Sequence, residues 1–580
     1  MARKAYDLTF VLRSPFLFEG LALASHGFDA SALRDEEHHI IIPGDHVRGH
    51  LRHAVAAMHG VDDPIFRALF GRESDAVDTT VGGEQNKPMR GALIIGDLKG
   101  PRAADTGIYH RVKIDPATGA ADRGMLQLIE LTAPIGADVT FSGRLVLRPY
   151  AQVTPDVLEA TLTAALKLIP AMGALKSAGF GEVIHENCKL SPDSTALPVV
   201  VDPGGDRVSL TIRFDRPILV DSKRDSSNSF TSATVIPGGA FKGALALALA
   251  DAGMDVKADA GFSALRASHA FPLSKGVLAD RALPDALMSA LSDDGSLSAA
   301  SVFQAGALAR LSAVATPAFP IDWKSSQFKA ARKALKRPDS DLSRYPRGRV
   351  GIGSDGLAEE AKLFVVETIG TRGREWQMTL DFTSVPASLR QKIFAELSGG
   401  LDGLGRTGAR LEVTEAVAAP ALVVSPKLGE TVYLMLETPA VLTDPTDDTA
   451  VSAQYARYFA QYGGATLQDH VARRRLAGEY YGYRFRGYGK ALYHPFEVTE
   501  AGAVFALGVT DPVKFAQFLQ AGLPPVRWHA GSLSELTWDV CPFVPENGYG
   551  AVSLIPDVLD VWPQALAAAF NSPEDEPHVQ

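Results

Sequence analysis

IIIPGDHVRGHLRHAV spans residues 40–55, and VIPGGAFKGALALAL spans residues 235–249. Each joins an apolar strand end to Pro-Gly and then to a basic residue five places after the proline, Arg48 in the first and Lys242 in the second. The residues after Pro-Gly have helical spacing: Val47, Leu51, Ala54, Val55 and Met58 share one face, and Gly60 stands where a C-cap belongs. The second helix is expected from about Gly239 to Gly253. A strand, a glycine turn and a helix start present free backbone N–H groups at the positive end of the helix dipole, a place for a phosphate. The plainer alternative is a tight turn beside a basic side chain that reaches solvent.

Self-similarity extends outward from these stretches. Three segments open as alternating strands that run into a proline: YDLTFVLRSPFLF from Tyr6, VSLTIRFDRPILV from Val208 and VYLMLETPAVL from Val432. Three close with a helix, glycines and a last strand. The helices begin TPDVLEATLTAALKLI at Thr154, VPASLRQKIFAEL at Val385 and TDPVKFAQFLQ at Thr510, each with proline near the first turn. GALKSAGFGEV, GLGRTGARLEV and NGYGAVSL come after them. The middles of the first two units also match: RVKIDPATGAADRGMLQLIEL from Arg111 parallels RVGIGSDGLAEEAKLFVVETI from Arg349, and the strands end at Glu130 and Glu367. We read an α+β chain of three ferredoxin-like (RRM-like, βαββαβ) units in tandem with large insertions, over residues 1–200, 201–425 and 426–560. Residues 561–580, which end in the polar, acidic NSPEDEPHVQ, are expected to be a disordered tail.

Composition bounds the function. A chain of 580 residues is too long for one core. No apolar run reaches membrane-spanning length, and MARKAYDLTF passes directly into a strand pattern, so a cytoplasmic protein with no membrane partner is expected. Cys188 and Cys541 have no metal-ligand spacing, so neither a zinc site nor a disulfide framework is expected. The net charge of −10 argues against polyanion binding over the whole surface and leaves room for a local basic groove.

One segment is such a candidate. Residues 455–493 hold eight of the chain's 14 tyrosines, and seven Lys or Arg against Asp469 and Glu479. Its core, EYYGYRFRGYGKALYHP, alternates rings and cations, with Tyr481, Tyr483 and Tyr488 available to stack on bases and Arg484, Arg486 and Lys490 to meet phosphates. A tyrosine-rich strand pair with exposed arginines is the alternative. Lys176 and Arg406, in the glycine-rich closing segments, could likewise hold a nucleic-acid backbone or be ordinary loop cations.

In combination, the opening strand, IPG-x-x-Φ-[KR]-G, the RVKID segment and the closing GALKSAGFG resemble the RAMP superfamily of CRISPR effector subunits. The first unit is similar to the backbone subunit of type III complexes. The second and third together are similar to the handle-capping RAMP subunit of type III-D complexes, through IPGGAFKGALALALA, SHAFPLSKG and GLGRTGA. The resemblance implies that two RAMP proteins are joined end to end.

It also implies a subunit that binds crRNA, guide and 5′ handle, and cleaves complementary target RNA at one site for antiviral defence. Its partners would be further RAMP backbone subunits, a large signature subunit and a small subunit. The loop GFDASALRDEE places Asp29 where such backbone subunits carry their catalytic aspartate, assisted by a weakly held divalent metal, Mg or Mn; no tightly bound metal is expected. RNA contacts are implied at His46, Arg48, Arg111, Lys176, Ser177, Lys242 and Arg406. The alternatives are a non-catalytic crRNA-binding scaffold, and a histidine-based crRNA-processing endoribonuclease using His26, His38 or His39. Two departures stand out. Asp45 and His46 replace the small hydroxyl residues usual after IPG; Asp45 is a good N-cap but puts negative charge where a phosphate would sit. The loop DSKRDSSNSFTSAT offers Asp221 and Asp225 but no second GFDASALRDEE, so no second cutting site is expected.

Overall fold

The computed structural model describes residues 3–571 apart from 21–26, 73–88, 103–106, 151–152, 194–198, 222, 227–228, 292–295, 306–328, 330–331, 353–357, 421–425, 479–495, 530–531 and 537–540.

The first sheet begins with β1 (Lys4–Arg13), whose alternate residues Tyr6, Leu8, Phe10 and Leu12 are all buried. After β2 (His39–Ile42) comes α1 (Gly44–His59), which lays Val47, Leu51, Ala54 and Val55 on that face and ends at Gly60. The short α2 (Pro64–Phe70), β3 (Leu98–Arg102), the hairpin of β4 (Gly107–Ile114) and β5 (Ala121–Leu131), β6 (Asp138–Leu147) and α3 (Pro155–Leu166) come next. The chain then adds β7 (Glu182–Val183) and β8 (Lys189–Pro192), both antiparallel to β1. The spatial order is β7–β1–β6–β3–β2. Counted without the edge strand β2, this is fourth, first, third, second, the arrangement of a βαββαβ ferredoxin-like fold.

The same order recurs. β9 (Arg207–Phe214), β10 (Ser229–Thr231), α4 (Gly238–Asp251), β11 (Phe271–Ser274), the hairpin of β12 (Arg344–Ile352) and β13 (Ala358–Ile369), β14 (Trp376–Asp381), α5 (Ala387–Ser398) and β15 (Ala409–Ala418) form the second set, with sheet order β11–β14–β9–β15. The third set comprises β16 (Thr431–Leu436), α6 (Val451–Tyr458), β17 (Ala465–Val471), the paired β18 (Arg474–Ala477) and β19 (Phe496–Thr499), β20 (Val504–Val509), α7 (Pro512–Ala521) and β21 (Val552–Leu554). Its sheet order is β17–β20–β16–β21. In each set an antiparallel strand pair is inserted between the second and third sheet strands.

The expected tail is partly a helix. α8 (Val561–Asn571) buries Leu566 and Phe570 against Leu297 and Leu335, because its apolar residues recur at helical spacing and find a matching surface. Asn571 fixes its end by bonding both the N–H and the carbonyl of Leu297 (2.6 and 2.9 Å).

The Pro-Gly elements have a steric cause. A Cβ on Gly44 would lie 2.6 Å from the Ile95 carbonyl oxygen, and one on Gly238 would lie 1.9 Å from that of Ala267. Only glycine lets each helix start abut the neighbouring chain.

The sets are locked together by ion pairs. Arg144 meets Asp402 (2.7 Å), Arg148 meets Asp251 (2.8 Å), and Glu36 accepts from the N–H groups of Thr371 and Arg372 (2.9 and 2.7 Å). Between the second and third sets, Glu437 receives Arg337 and Arg281, each at 2.7 Å. Burial opposes charge on Glu437, but the two guanidiniums win and hold its carboxyl below the usual range.

Candidate nucleic-acid interface

The loop before α1 is fixed at both ends. The Leu33 N–H donates to the Phe18 carbonyl (2.7 Å), and Ala30 bridges in parallel to Ile129 of β5. Between these anchors, Glu130 receives Arg34 at 2.6 and 3.0 Å and the Ala32 N–H at 2.8 Å. Glu130 is only 3% exposed; burial works against its charge, yet Arg34 and the Ala32 N–H keep its carboxyl below the ordinary range.

The four acidic side chains of this loop are held differently. Asp35 accepts from the N–H groups of Glu37 and His39 (2.8 and 2.9 Å) and from Lys99 (2.9 Å). Glu36 is taken up by Thr371 and Arg372, and Glu37 lies 3.2 Å from Arg372. Asp29 is exposed; its Oδ2 accepts the Leu128 N–H (2.7 Å), and its own N–H donates to the Leu128 carbonyl (2.8 Å). Among the described residues its Oδ1 meets no donor. Geometry thus singles out Asp29 where the local sequence alone did not.

One carboxylate oxygen without a donor can give a divalent ion a single protein ligand. Among the described residues the set that could ligate a metal is Asp35, Glu37 and His39. Lys99, 2.9 Å from Asp35 and 3.5 Å from Glu37, and Arg372, 3.2 Å from Glu37, already balance its two carboxylates.

The start of α1 is occupied by protein. Asp97 Oδ1 accepts the Gly44 N–H (2.9 Å) and Asp97 Oδ2 receives Arg347 from β12 (3.0 Å), while Arg349 reaches Asp45 (2.7 Å). Asp45 is therefore not the N-cap expected from the sequence; that residue is Pro43, with no side-chain cap. Nothing in the sequence around Asp97 signalled this role.

The expected RNA contacts divide. Lys176 and Ser177 are exposed on a 3-10 turn, Arg111 is exposed on β4, and Arg406 is exposed with its guanidinium 5.1 Å over the Phe230 ring. His46 accepts the Gly173 N–H through Nε2 (3.1 Å), tying α1 to the closing glycine loop. Burial, then Lys176, push its pKa down to about 4, so it is neutral. Arg48 donates to the Phe70 carbonyl (2.8 Å) and lies 5.8 Å from the Phe70 ring.

Lys242 overturns its expected role. Only 8% exposed, it donates to the carbonyls of Leu265 and Ser263 (2.7 and 3.4 Å) and lies over Phe262. α4 is apolar nearly all round and therefore buried, so its lysine turns inward instead of reaching solvent. Burial lowers its pKa to about 8.

The closing loops are also offset. The Arg406 N–H bonds the Leu219 carbonyl (2.9 Å) as the Ala174 N–H bonds that of Leu17 (2.8 Å), so Arg406 corresponds to Ala174 and not to Lys176.

In the tyrosine-rich stretch, Tyr455 and Tyr458 are fully buried core residues. Arg457, Arg473, Arg474 and Arg475 are paired with Asp447, Asp285, Glu497 and Glu500. That half is scaffold. Tyr481, Tyr483, Arg484, Arg486, Tyr488 and Lys490 lie outside the described residues, and so does His26. The strands flanking the tyrosine-rich core are paired at Ala477 and Phe496.

Fold and site define an α+β protein with ferredoxin-like strand order and an exposed aspartate at the foot of an inserted hairpin. Residues 9–184 match the family model described as RAMP superfamily. No curated protein matches the chain. Among solved structures it is similar to a chain from "Cryo-EM structure of the Type III-B Cmr-beta bound to cognate target RNA", at 15% identity and a TM-score of 0.24, covering 33% of this chain and 61% of that one. A second comes from "Cryo-EM structure of the Type III-B Cmr-beta bound to cognate target RNA and AMPPnP, state 1", at 10% identity and a TM-score of 0.27, covering 52% and 86%. No described helix is long and apolar enough to cross a membrane.

Proposed function

We propose that this protein is a subunit of a type III CRISPR effector complex, built from a backbone-type RAMP unit fused to a handle-capping-type one. It holds crRNA and cleaves complementary target RNA at one position through Asp29, alongside further RAMP subunits and the large and small subunits. The observation that carries the cleavage assignment is Asp29 itself: exposed, steadied by the Leu128 N–H, with its second oxygen unengaged among the described residues.

A lone carboxylate suits attack by the RNA's own 2′-hydroxyl. The 2′-oxygen bonds to the adjacent phosphorus, its proton passes to Asp29 Oδ1, the P–O5′ bond breaks, and the 5′-oxygen takes a proton from water. The fragments end in a 2′,3′-cyclic phosphate and a 5′-hydroxyl. A divalent ion, Mg or Mn, held by the RNA phosphate and water near Asp29 would supply neutralisation of the phosphate charge, leaving Asp29 Oδ1 to take the proton. Lys176 and Ser177 on the closing turn, and Arg111 on the hairpin, are the exposed groups for the RNA backbone. Asp29→Ala in the purified complex is expected to abolish cleavage of a complementary RNA while leaving RNA binding within about threefold. Equal cleavage rates would remove the catalytic assignment and leave an RNA-binding scaffold.

A further inference from the structure

The two pre-helix segments can be aligned by hydrogen bonds alone, whatever their side chains. In the first unit the Leu33 N–H bonds the Phe18 carbonyl; in the second the Ala233 N–H bonds the Val220 carbonyl (3.0 Å). Three residues earlier in each, Ala30 bridges in parallel to Ile129, and Phe230 pairs in parallel with Val366. Both anchors have the same spacing, so the register between them is fixed. Ser229 then stands at the position of Asp29 and pairs with Val365, the counterpart of the Leu128 that steadies Asp29. Asp221, next to Val220, falls at the position of Glu19, well away from this place.

The surroundings are rebuilt in the same sense. In the first unit the small Ala30 packs with Ile129 and Phe180, and the aromatic ring comes from the closing loop. In the second unit the ring is Phe230 itself, with the exposed guanidinium of Arg406 stacked on it. The Phe230 ring, next to Ser229 in the chain, and the cation over it can meet a base and a phosphate, and Ser229, unlike Asp29, has no carboxylate to take a proton from a 2′-hydroxyl.

We infer that the second unit carries an RNA-binding counterpart of the Asp29 site in which Ser229 replaces the carboxylate, so that Ser229→Asp creates a second cleavage position. This rests on the proposed role of Asp29. The added step is the same one: 2′-oxygen attack on phosphorus, proton to the new carboxylate, departure of the 5′-oxygen with a proton from water.

The test uses the full chain purified with its guide RNA and other subunits, supplied with a complementary RNA labelled at one end and with Mg or Mn. Ser229→Asp is expected to add one new product with a cyclic phosphate end, and Asp29→Ala/Ser229→Asp to give the new product alone. Ser229→Asn, uncharged and of similar shape to Asp, is expected to add none. Retained guide RNA and an unchanged melting profile show that each variant is assembled. If Asp29→Ala abolishes the native cut but Ser229→Asp adds nothing, the equivalence is overturned while the assignment of Asp29 stands. If Asp29→Ala changes nothing, both fall.

Discussion

Lys242→Met separates a buried structural lysine from a phosphate contact. The folded chain lowers the lysine pKa from 10.5 to about 8 by burial, a gap equivalent to about 3 kcal/mol held against the charged form. Because the folded pKa lies below the unfolded one, the unfolded chain binds the extra proton between these values, and stability rises with pH there. The slope is about 1 kcal/mol per pH unit from pH 8 to pH 10.5, and this group adds none outside that window. Methionine has nearly the same volume and no charge. It removes that cost but leaves the carbonyls of Ser263 and Leu265 without their donor, each costing about 1–3 kcal/mol, so the net change at neutral pH is small. Hydrogen exchange of α4 amides, followed against pH in both proteins, is expected to show the slope in the native chain and its loss in the variant. RNA affinity and its salt dependence are expected to be unchanged, whereas a phosphate contact would lower the salt slope by about 0.7–0.9. A reduced salt slope, or an alkaline slope that survives in Lys242→Met, would refute the buried assignment.

Leu566→Ala is expected to cost about 2–5 kcal/mol of α8 docking, since Leu566 packs with Leu297 and Leu335; faster exchange of the Leu297–Ser301 strand amides measures it. Glu130, held charged below its usual pKa of 4.5, contributes stability that is present above that pH and lost as the pH falls through its folded value. Glu130→Gln is expected to flatten this part of the acid melting curve, and an unchanged acid limb would count against the Arg34 pair as its cause.

The elements that periodicity could read were those whose two faces differ. α1 shows its spacing because one side is core and the other is not, and β1 alternates for the same reason. Lys242 was illegible because a lysine on an apolar helix can turn its head inward or outward, and the choice depends on Leu265 and Ser263, more than twenty residues away in sequence. The tyrosine-rich stretch misled in its first half for a related reason. Composition counts rings and cations but does not show that Tyr455 and Tyr458 face the core or that four arginines already have carboxylates. Lys176 and Arg406 matched as letters, yet the loops around them differ in length, so backbone hydrogen bonds place them differently.

The repeated Pro-Gly element invites a phosphate by its chemistry and receives protein instead. In the first unit the N–H group at the helix start is met by Asp97, and Asp97 is met by Arg347 of the next unit. In the second unit a Cβ on Gly239 would lie 3.3 Å from the Asn547 side chain, so the third unit covers that helix start. The positive end of each helix thus serves as a joint between units, and this recasts the acidic net charge. Asp45, Asp97, Asp251, Asp402, Glu36 and Glu437 are engaged with groups of other units and tell little about the face open to solvent. A polyanion then depends on cations that no seam has claimed. Among the described residues, Arg111, Lys176 and Arg406 are exposed cations of this kind, the last lying over the ring of Phe230, the neighbour of Ser229 in the chain.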